Sequence, residues 1–152
     1  MSQMPEDVRT ALERHLIEYC YAVDGLQDVE PLLDLFTDDA VADLTAIGLP
    51  MMNGKGDIRA FFENVFADMT HHFHFISNFR PESWDADGRV GAMTAYVIGM
   101  GASKDGNTVT VQVKYRMECV PQGGAWKCRH YTITPMMPMP GSLEEIHGAH
   151  HP

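Results

Sequence analysis

The chain has 152 residues, which is the size of one domain, with 45% hydrophobic residues and a formal charge of −10 at pH 7. This composition excludes a disordered chain, and the negative charge argues against binding to nucleic acid phosphates or to an anionic membrane surface. We therefore expect a single domain over residues 1–152 that buries its own hydrophobic core.

The first predicted element is a helix over residues 6–25. Apolar side chains recur along it at spacings of four, three and four residues, which is the period of one helical face; they are Leu12, Leu16, Tyr19 and Val23. Asp24 stands on the neighbouring stripe at the end of the helix, where its negative charge opposes the helix dipole. Gly25 follows as the expected stop. A carboxylate in this position needs a compensating partner.

Two further helices and a short strand are predicted before residue 70. The second helix covers residues 28–36, with Asp28 as its N-cap. The acidic run TDDA ends it, and VADLTAI predicts a short strand. After a glycine-containing turn, Asp57 caps a long amphipathic helix that runs to Met69, because apolar residues recur at positions 58, 61, 62, 65, 66 and 69.

The hydrophobic period changes to two after Met69 and predicts strands over residues 71–80, 89–101, 108–120 and 125–135. The turns SKDGN and PQGGA join the last three strands as hairpins. Helices followed by an antiparallel meander predict an α+β fold, in which a curved sheet wraps around the long helix and encloses an apolar cavity. Val111, Val113 and Met117 are expected to line this cavity. The Pro- and Met-rich tail, residues 136–152, is predicted to be extended.

The strand around residue 74 has two unlike faces, since side chains alternate across a sheet. One face contains His72, His74, Ile76 and Asn78, and the other contains Phe73, Phe75, Ser77 and Phe79. An exposed aromatic face indicates an interface, so we expect a homodimer or a homotrimer formed through the sheet. A buried carboxylate beside an imidazole can transfer protons. Asp24 and His74 are therefore the candidate catalytic pair, provided that the fold brings them together.

Other kinds of site have less support from the residues. His71, His72 and His74 could bind a metal together with His130, but a strand presents at most two of them on one face, and no carboxylate completes the set. We therefore expect no metal, and the motifs of nucleotide sites and of serine hydrolases do not occur, so no cofactor is predicted. The cysteines lie outside any CxxC pattern and predict reduced thiols in a cytoplasmic protein; they are Cys20, Cys119 and Cys128.

The chain resembles the SnoaL-like group of the nuclear-transport-factor-2-like (cystatin-like) cone fold over about residues 6–136. The resemblance rests on the segments IEYCYAVDGLQDVEPLLDLFTDDA, GKGDIRAFFENV and MTHHFHFISNFR and on the closing strand after Trp126. Within the group, the chain looks most like the branch of scytalone dehydratase and hexachlorocyclohexane dehydrochlorinase. In that branch a helix-borne Asp, within the sequence AVD, pairs inside the cone with a strand His that lies four residues before an Asn. The matching residues are Asp24 and His74.

The resemblance implies a cofactor-free lyase that acts on a hydrophobic cyclic compound. Neutral His74 would remove a carbon-bound proton, Asp24 would orient the imidazole, and hydroxide or halide would leave. A phenol, Tyr19, Tyr21 or Tyr131, would bind a carbonyl group or the leaving group, with Tyr19 favoured because it lies near Asp24. The expected substrate-binding residues are Tyr19, His72, Asn78 and Tyr131.

The sequence departs from both enzyme patterns. The dehydratase pattern has a second active-site His on a later strand, where His130 is the only candidate here. The dehydrochlorinase pattern has a Lys where Tyr19 stands and an Arg where Tyr131 stands, while Arg129 is predicted to share the face of Tyr131. The alternatives are therefore a polyketide-cyclase-like or ketosteroid-isomerase-like reaction without net elimination, and a non-catalytic domain that binds a ligand in its cavity.

Overall fold

The computed structural model describes residues 3–141. In chain order the elements are α1 (Glu6–Asp24), α2 (Glu30–Leu33), β1 (Phe36–Asp43), a 3₁₀ turn (Thr45–Ile47), β2 (Met51–Asn53), α3 (Lys55–Asp68), β3 (Met69–Asp85), β4 (Val90–Ser103), β5 (Thr108–Gln122) and β6 (Ala125–Pro135). No helix among the described residues is long and apolar enough to cross a membrane.

The six strands form one curved, unclosed sheet with the order β2-β1-β6-β5-β4-β3. All neighbouring strands are antiparallel except β1 and β6, which pair in parallel. Strand β3 is therefore an edge strand, and it has hydrogen-bonding groups that face away from β4. The predicted α+β cone with a mostly antiparallel sheet is confirmed.

The two long helices bury their apolar faces against the sheet, as their periodicity predicted. Along α1, Leu12, Leu16, Tyr19 and Val23 are all at most 4% exposed. Along α3, the buried side chains are Ile58, Phe61, Phe62, Val65 and Phe66. Each such side chain contributes about 1.5–3 kcal/mol when it leaves water, so these two faces fix both helices on the sheet.

The region after α1 differs from the prediction. Helix α2 has four residues rather than the nine predicted over 28–36, and Phe36 is already the first residue of β1. The acidic run TDDA lies inside β1, where Asp38 and Asp39 face solvent beside a register shift in the β1–β6 pairing. The segment VADLTAI does not form one strand, because β1 ends at Asp43 and the 3₁₀ turn follows.

The helix ends also differ in detail. Helix α3 begins at Lys55, and the Asp57 carboxylate accepts a hydrogen bond from the backbone N–H of Asn53 at 3.0 Å instead of capping the helix as its N-cap residue. At the end of α1, Gly25 keeps a helical conformation, and the left-handed residue is Leu26, with φ 58°. The turn after α1 thus occurs one residue later than the glycine suggests.

Strand β3 is longer than predicted and contains a bulge. Its register against β4 shifts between Ser77 and Arg80, and Asn78 takes a left-handed conformation with φ 56°. The bulge turns Asn78 out to solvent and brings Phe79 against the core. The prediction that these two residues continue the two faces of the strand is therefore wrong after Ser77, because the bulge inserts an extra residue into the alternation.

Candidate active site

A cavity opens between α1, α3 and the concave face of the sheet. Its lining is mostly aliphatic and aromatic, and the polar side chains that line it are Tyr19, His72, His74 and Tyr115. Among the described residues, no Asp, Glu, Lys or Arg lines the cavity. Val111 and Val113 line it as predicted, whereas Met117 does not line it and is 1% exposed. A cavity of this kind suits an uncharged and largely apolar ligand.

The predicted partners Asp24 and His74 are in contact at the wall of this cavity. One oxygen of the Asp24 carboxylate lies 2.5 Å from Nδ1 of His74, and the other accepts a hydrogen bond from the backbone N–H of His74 at 3.1 Å. This second bond is possible because β3 is an edge strand, so the N–H of His74 is free to pair with the last residue of α1. The two hydrogen bonds compensate the carboxylate for its unfavourable place at the helix C-terminus.

The hydrogen bond to Asp24 determines how the imidazole of His74 is protonated. An ionised carboxylate only accepts, so Nδ1 carries the proton, and Nε2 of the neutral ring presents a lone pair. The ring lies over Gly99 of β4, where an added Cβ would stand 3.2 Å from Cδ2 and 3.3 Å from Nε2. In this arrangement Nε2 can accept a proton while the carboxylate holds Nδ1.

A second imidazole, His72, lies beside the first one on the same wall. The two ring centroids are 5.7 Å apart, and the ring planes are nearly perpendicular. Nδ1 of His72 lies 3.1 Å from the carbonyl oxygen of Val23, which belongs to the last turn of α1. Burial lowers the pKa of His72 below its ordinary value, so the ring is neutral near pH 7. The C-terminus of α1 thus holds both histidines, one by a carboxylate and one by a carbonyl.

Three tyrosines pack edge to face at the cavity. The Tyr19 ring lies 4.9 Å from that of Tyr131 and 5.7 Å from that of Tyr115, measured between centroids. Burial raises the pKa of all three phenols, so they stay protonated and can donate hydrogen bonds. Tyr19 and Tyr115 line the cavity, whereas Tyr131 lies behind them and does not. This placement corrects the expectation that Tyr131 contacts the substrate.

Tyr115 lines the cavity but was not predicted as a site residue from the sequence. It continues the apolar alternation of β5 after Val109, Val111 and Val113, and that pattern predicts a core residue. The same alternation contained the signal, because Tyr115 occupies the face that was expected to line the cavity.

The remaining candidate residues lie elsewhere. Asn78 is exposed outside the cavity, which corrects its expected role in substrate binding, and Tyr21 is 70% exposed. A register shift in the β5–β6 pairing turns Arg129 outward, where it donates a hydrogen bond to Glu118 at 2.7 Å, so it does not share the face of Tyr131. His130 lies outside the cavity lining, within electrostatic reach of Glu118.

The histidines considered as possible metal ligands do not come together in one site among the described residues. Within residues 3–141, no three side chains of the types His, Cys, Asp and Glu come together in a group that could hold a metal ion. His72 and His74 point into the cavity wall, while His71 is exposed and lies 2.9 Å from the hydroxyl of Thr70.

Comparisons with known proteins agree with the fold. The model of the SnoaL-like domain family matches residues 7–132. A crystal structure from Novosphingobium aromaticivorans, provisionally described as an aromatic ring hydroxylase, is 43% identical, with a TM-score of 0.90 over 95% of this chain and 99% of the other. No curated protein sequence matches the chain significantly.

Two more distant structures share the fold. A second protein from Novosphingobium aromaticivorans, provisionally described as a scytalone dehydratase, is 18% identical, with a TM-score of 0.75 over 84% of this chain and 83% of the other. Hexachlorocyclohexane dehydrochlorinase LinA-type3 from Novosphingobium barchaimii is 20% identical, with a TM-score of 0.72 over 89% of this chain and 92% of the other. At these identities the likeness concerns the fold alone.

Proposed function

Because the chain belongs to the family of SnoaL-like domains, we propose that it is a cofactor-independent lyase of the dehydratase type. It removes a carbon-bound proton from a small, uncharged ring compound and expels a leaving group. The observation that supports this most strongly is the contact between Asp24 and His74 at the wall of a cavity without charged side chains. A general base of this kind accelerates proton abstraction by about 10²–10⁴-fold.

The proposed reaction uses the imidazole and the phenols that line the cavity. Nε2 of His74 takes the proton, and the Asp24 carboxylate stabilises the imidazolium that forms. Tyr19 and Tyr115 donate hydrogen bonds to a carbonyl oxygen of the substrate, where negative charge develops as the carbon loses its proton. The electron pair of the C–H bond then forms a C=C bond while the leaving group departs with its own bonding pair.

A second candidate function is the binding of a ring compound without elimination. It is supported by the aromatic and aliphatic lining of the cavity and by the relative at 43% identity, which is provisionally described as an aromatic ring hydroxylase. A cyclase-like or isomerase-like reaction would use the same Asp24–His74 pair without loss of a leaving group. The candidates differ in whether His74 is needed for turnover and whether a small molecule leaves.

The experiment follows the dehydration of 3-hydroxycyclohexanone, a one-ring β-hydroxy ketone, through the absorbance of the conjugated product cyclohex-2-enone. The wild type should accelerate the reaction, and H74N and D24N should fall to the background rate. H71N is the matched control, because His71 neighbours these residues in the strand but is exposed. Acceleration that survives in H74N would refute the proposed lyase. Binding of cyclohex-2-enone without any turnover would favour the second candidate.

We also propose that the chain forms a homodimer or a homotrimer through the outer face of the sheet. Phe73 and Phe75 are 55% and 57% exposed, and the side chains opposite them on β4, Met100 and Ile98, are also exposed. A contiguous apolar patch of this kind is typical of an interface. Light scattering at micromolar concentration should give a mass of two or three chains, and a stable monomer would refute the proposal.

A further inference from the structure

The two histidines on the cavity wall differ in what holds them. His74 is held by a carboxylate, which suits a group that becomes positively charged during the reaction. His72 is held by the carbonyl of Val23, a neutral acceptor, and its burial disfavours the charged form. His72 is therefore suited to remain neutral, and a role as a second general base does not account for it.

The partner of His72 fixes its tautomer. The Val23 carbonyl lies in the last turn of α1, where carbonyl groups lack a partner within the helix. A carbonyl oxygen can only accept, so Nδ1 of the neutral ring must be the protonated nitrogen, and Nε2 must be an acceptor. Among the described residues no donor pairs with Nε2, and this atom is not fully buried. The acceptor is thus left for a ligand in the cavity.

We infer that His72 is a specificity-determining residue that selects ligands with a hydroxyl or N–H group close to the carbon from which His74 takes its proton. The inference rests on the proposed function for the role of His74, but the selection by His72 is a statement about binding alone. The 5.7 Å between the two ring centroids suits a donor group on the same ring of the ligand as the acidic C–H. An uncharged cyclic alcohol or phenol has this chemistry.

This selection also bears on the leaving group. His74 first takes the carbon-bound proton as the C–H bond breaks. A hydroxyl that donates its hydrogen to Nε2 of His72 has a more basic oxygen, which then takes this proton from the His74 imidazolium. The electron pair of the former C–H bond forms the C=C bond as the C–O bond breaks, water leaves, and His74 returns to its neutral form. A halide has no hydrogen to donate, so Nε2 of His72 would remain unpaired in a dehydrohalogenation. The wall thus favours loss of water over loss of halide.

The first test measures the tautomers directly. Imidazole ¹⁵N chemical shifts of the wild-type protein near pH 7, assigned with H72F and H74N, should show a protonated Nδ1 and an unprotonated Nε2 for His72. A proton on Nε2 of His72 would overturn the inference, because the ring would then present a donor to the cavity. This measurement is made on the wild type, so it needs only the assignment from the variants and remains decisive if one of them is unstable.

The second test measures selection with two probes of similar size, phenol and fluorobenzene, of which only phenol donates a hydrogen bond. The wild type should bind phenol more tightly than fluorobenzene. The H72F substitution should reduce the ratio of the dissociation constant of fluorobenzene to that of phenol by roughly threefold to tenfold. H71F, a change of an exposed His on the same strand, should keep the ratio. An unchanged ratio in H72F, or a ratio lost in H74N instead, would overturn the inference.

The two proposals can fail separately. Loss of phenol selection in H72F together with failed proton abstraction by the wild type would support the role of His72 and refute the lyase. Proton abstraction that depends on His74, with no phenol selection at His72, would support the lyase and refute this inference.

Discussion

The two faces of β3 use the same strand for opposite purposes. On the inner face, His72 and His74 are half-buried, and their partners lie on α1. On the outer face, Phe73 and Phe75 are more than half exposed, and no element of the described chain covers them. One strand therefore contributes a polar wall to the cavity and an apolar surface to the outside, which is the reverse of the ordinary distribution.

The neighbouring strand β4 matches this difference residue by residue. Gly101 pairs with His72 and Gly99 pairs with His74, whereas Met100 pairs with Phe73 and Ile98 pairs with Phe75. The glycines leave room for the imidazoles, since a Cβ at Gly101 would stand 3.1 Å from Cδ2 of His72. The exposed side chains of Met100 and Ile98 extend the apolar patch formed by Phe73 and Phe75. The inner wall thus leaves room for two imidazole rings, whereas the outer wall exposes apolar area.

The largest predicted effect comes from replacing either member of the candidate catalytic pair, Asp24 and His74. H74N and D24N should each reduce turnover of 3-hydroxycyclohexanone by about 10²–10⁴-fold, because the first removes the base and the second removes the carboxylate that stabilises the imidazolium. Steady-state rates measured by absorbance test this. F75S, on the outer face of the same strand, serves as the control and should retain the rate per chain. A D24N variant as active as the wild type would show that the inner face needs no carboxylate.

The next effect concerns the fit between β4 and the inner face. G99A should lower kcat by roughly tenfold to a hundredfold, since the new Cβ displaces the His74 ring and small displacements of a reacting group are costly. I98A, on the outer side of β4, should change kcat little. Equal kcat values for the two variants would contradict the specific role of the glycine.

Substitutions on the outer face of β3 should change the oligomeric state rather than the reaction rate. Replacing both exposed phenylalanines in F73S/F75S should convert the oligomer to monomer, because it removes apolar area from the proposed interface. Light scattering gives the mass, and the rate per chain should stay within about twofold of the wild type, since neither side chain lines the cavity. An unchanged mass would place the interface elsewhere.

The smallest predicted effect is on the pH dependence of stability and concerns the buried imidazole of His15. His15 is 7% exposed, its Nε2 donates to the carbonyl of Leu35 at 2.9 Å, and burial lowers its pKa from the ordinary 6.5. Near and below pH 6.5, His15 binds more protons in the unfolded chain than in the folded one, so its contribution to the free energy of unfolding decreases as the pH falls towards the folded pKa. Urea titrations should show this decrease more steeply for the wild type than for H15Q.

Much of the fold follows from the sequence because periodicity reports which face is buried. The stripe of α1 and the alternation around His74 were predicted correctly because each depends on local spacing. The bulge at Asn78 could not be predicted, since it depends on how β3 curves against β4. Strand β1 was partly missed, because Phe36, its first residue paired with β6, was predicted to be helical, and the polar residues Asp38 and Asp39 lie in an irregular stretch of the β1–β6 pairing.

Residue spacing alone predicted only the residue types of the candidate site, and the pairing of Asp24 with His74 was expected from the family resemblance. Asp24 and His74 each stood out in an apolar context, but they are separated by 50 positions, and only the approach of the α1 C-terminus to an edge strand brings them together. The partner of His72 is a backbone carbonyl, which no sequence pattern reveals. Tyr115 was concealed because a buried tyrosine in an apolar alternation is usually part of the core.

The most direct test of the central claim needs no knowledge of the natural substrate. Cyclohexanone, an uncharged one-ring ketone, is incubated in D₂O, and the exchange of the protons next to its carbonyl is followed by ¹H NMR. The wild type should accelerate exchange, while H74N and D24N should leave it at the rate without protein. Exchange that is as fast with H74N as with the wild type would contradict the assignment of His74 as the base.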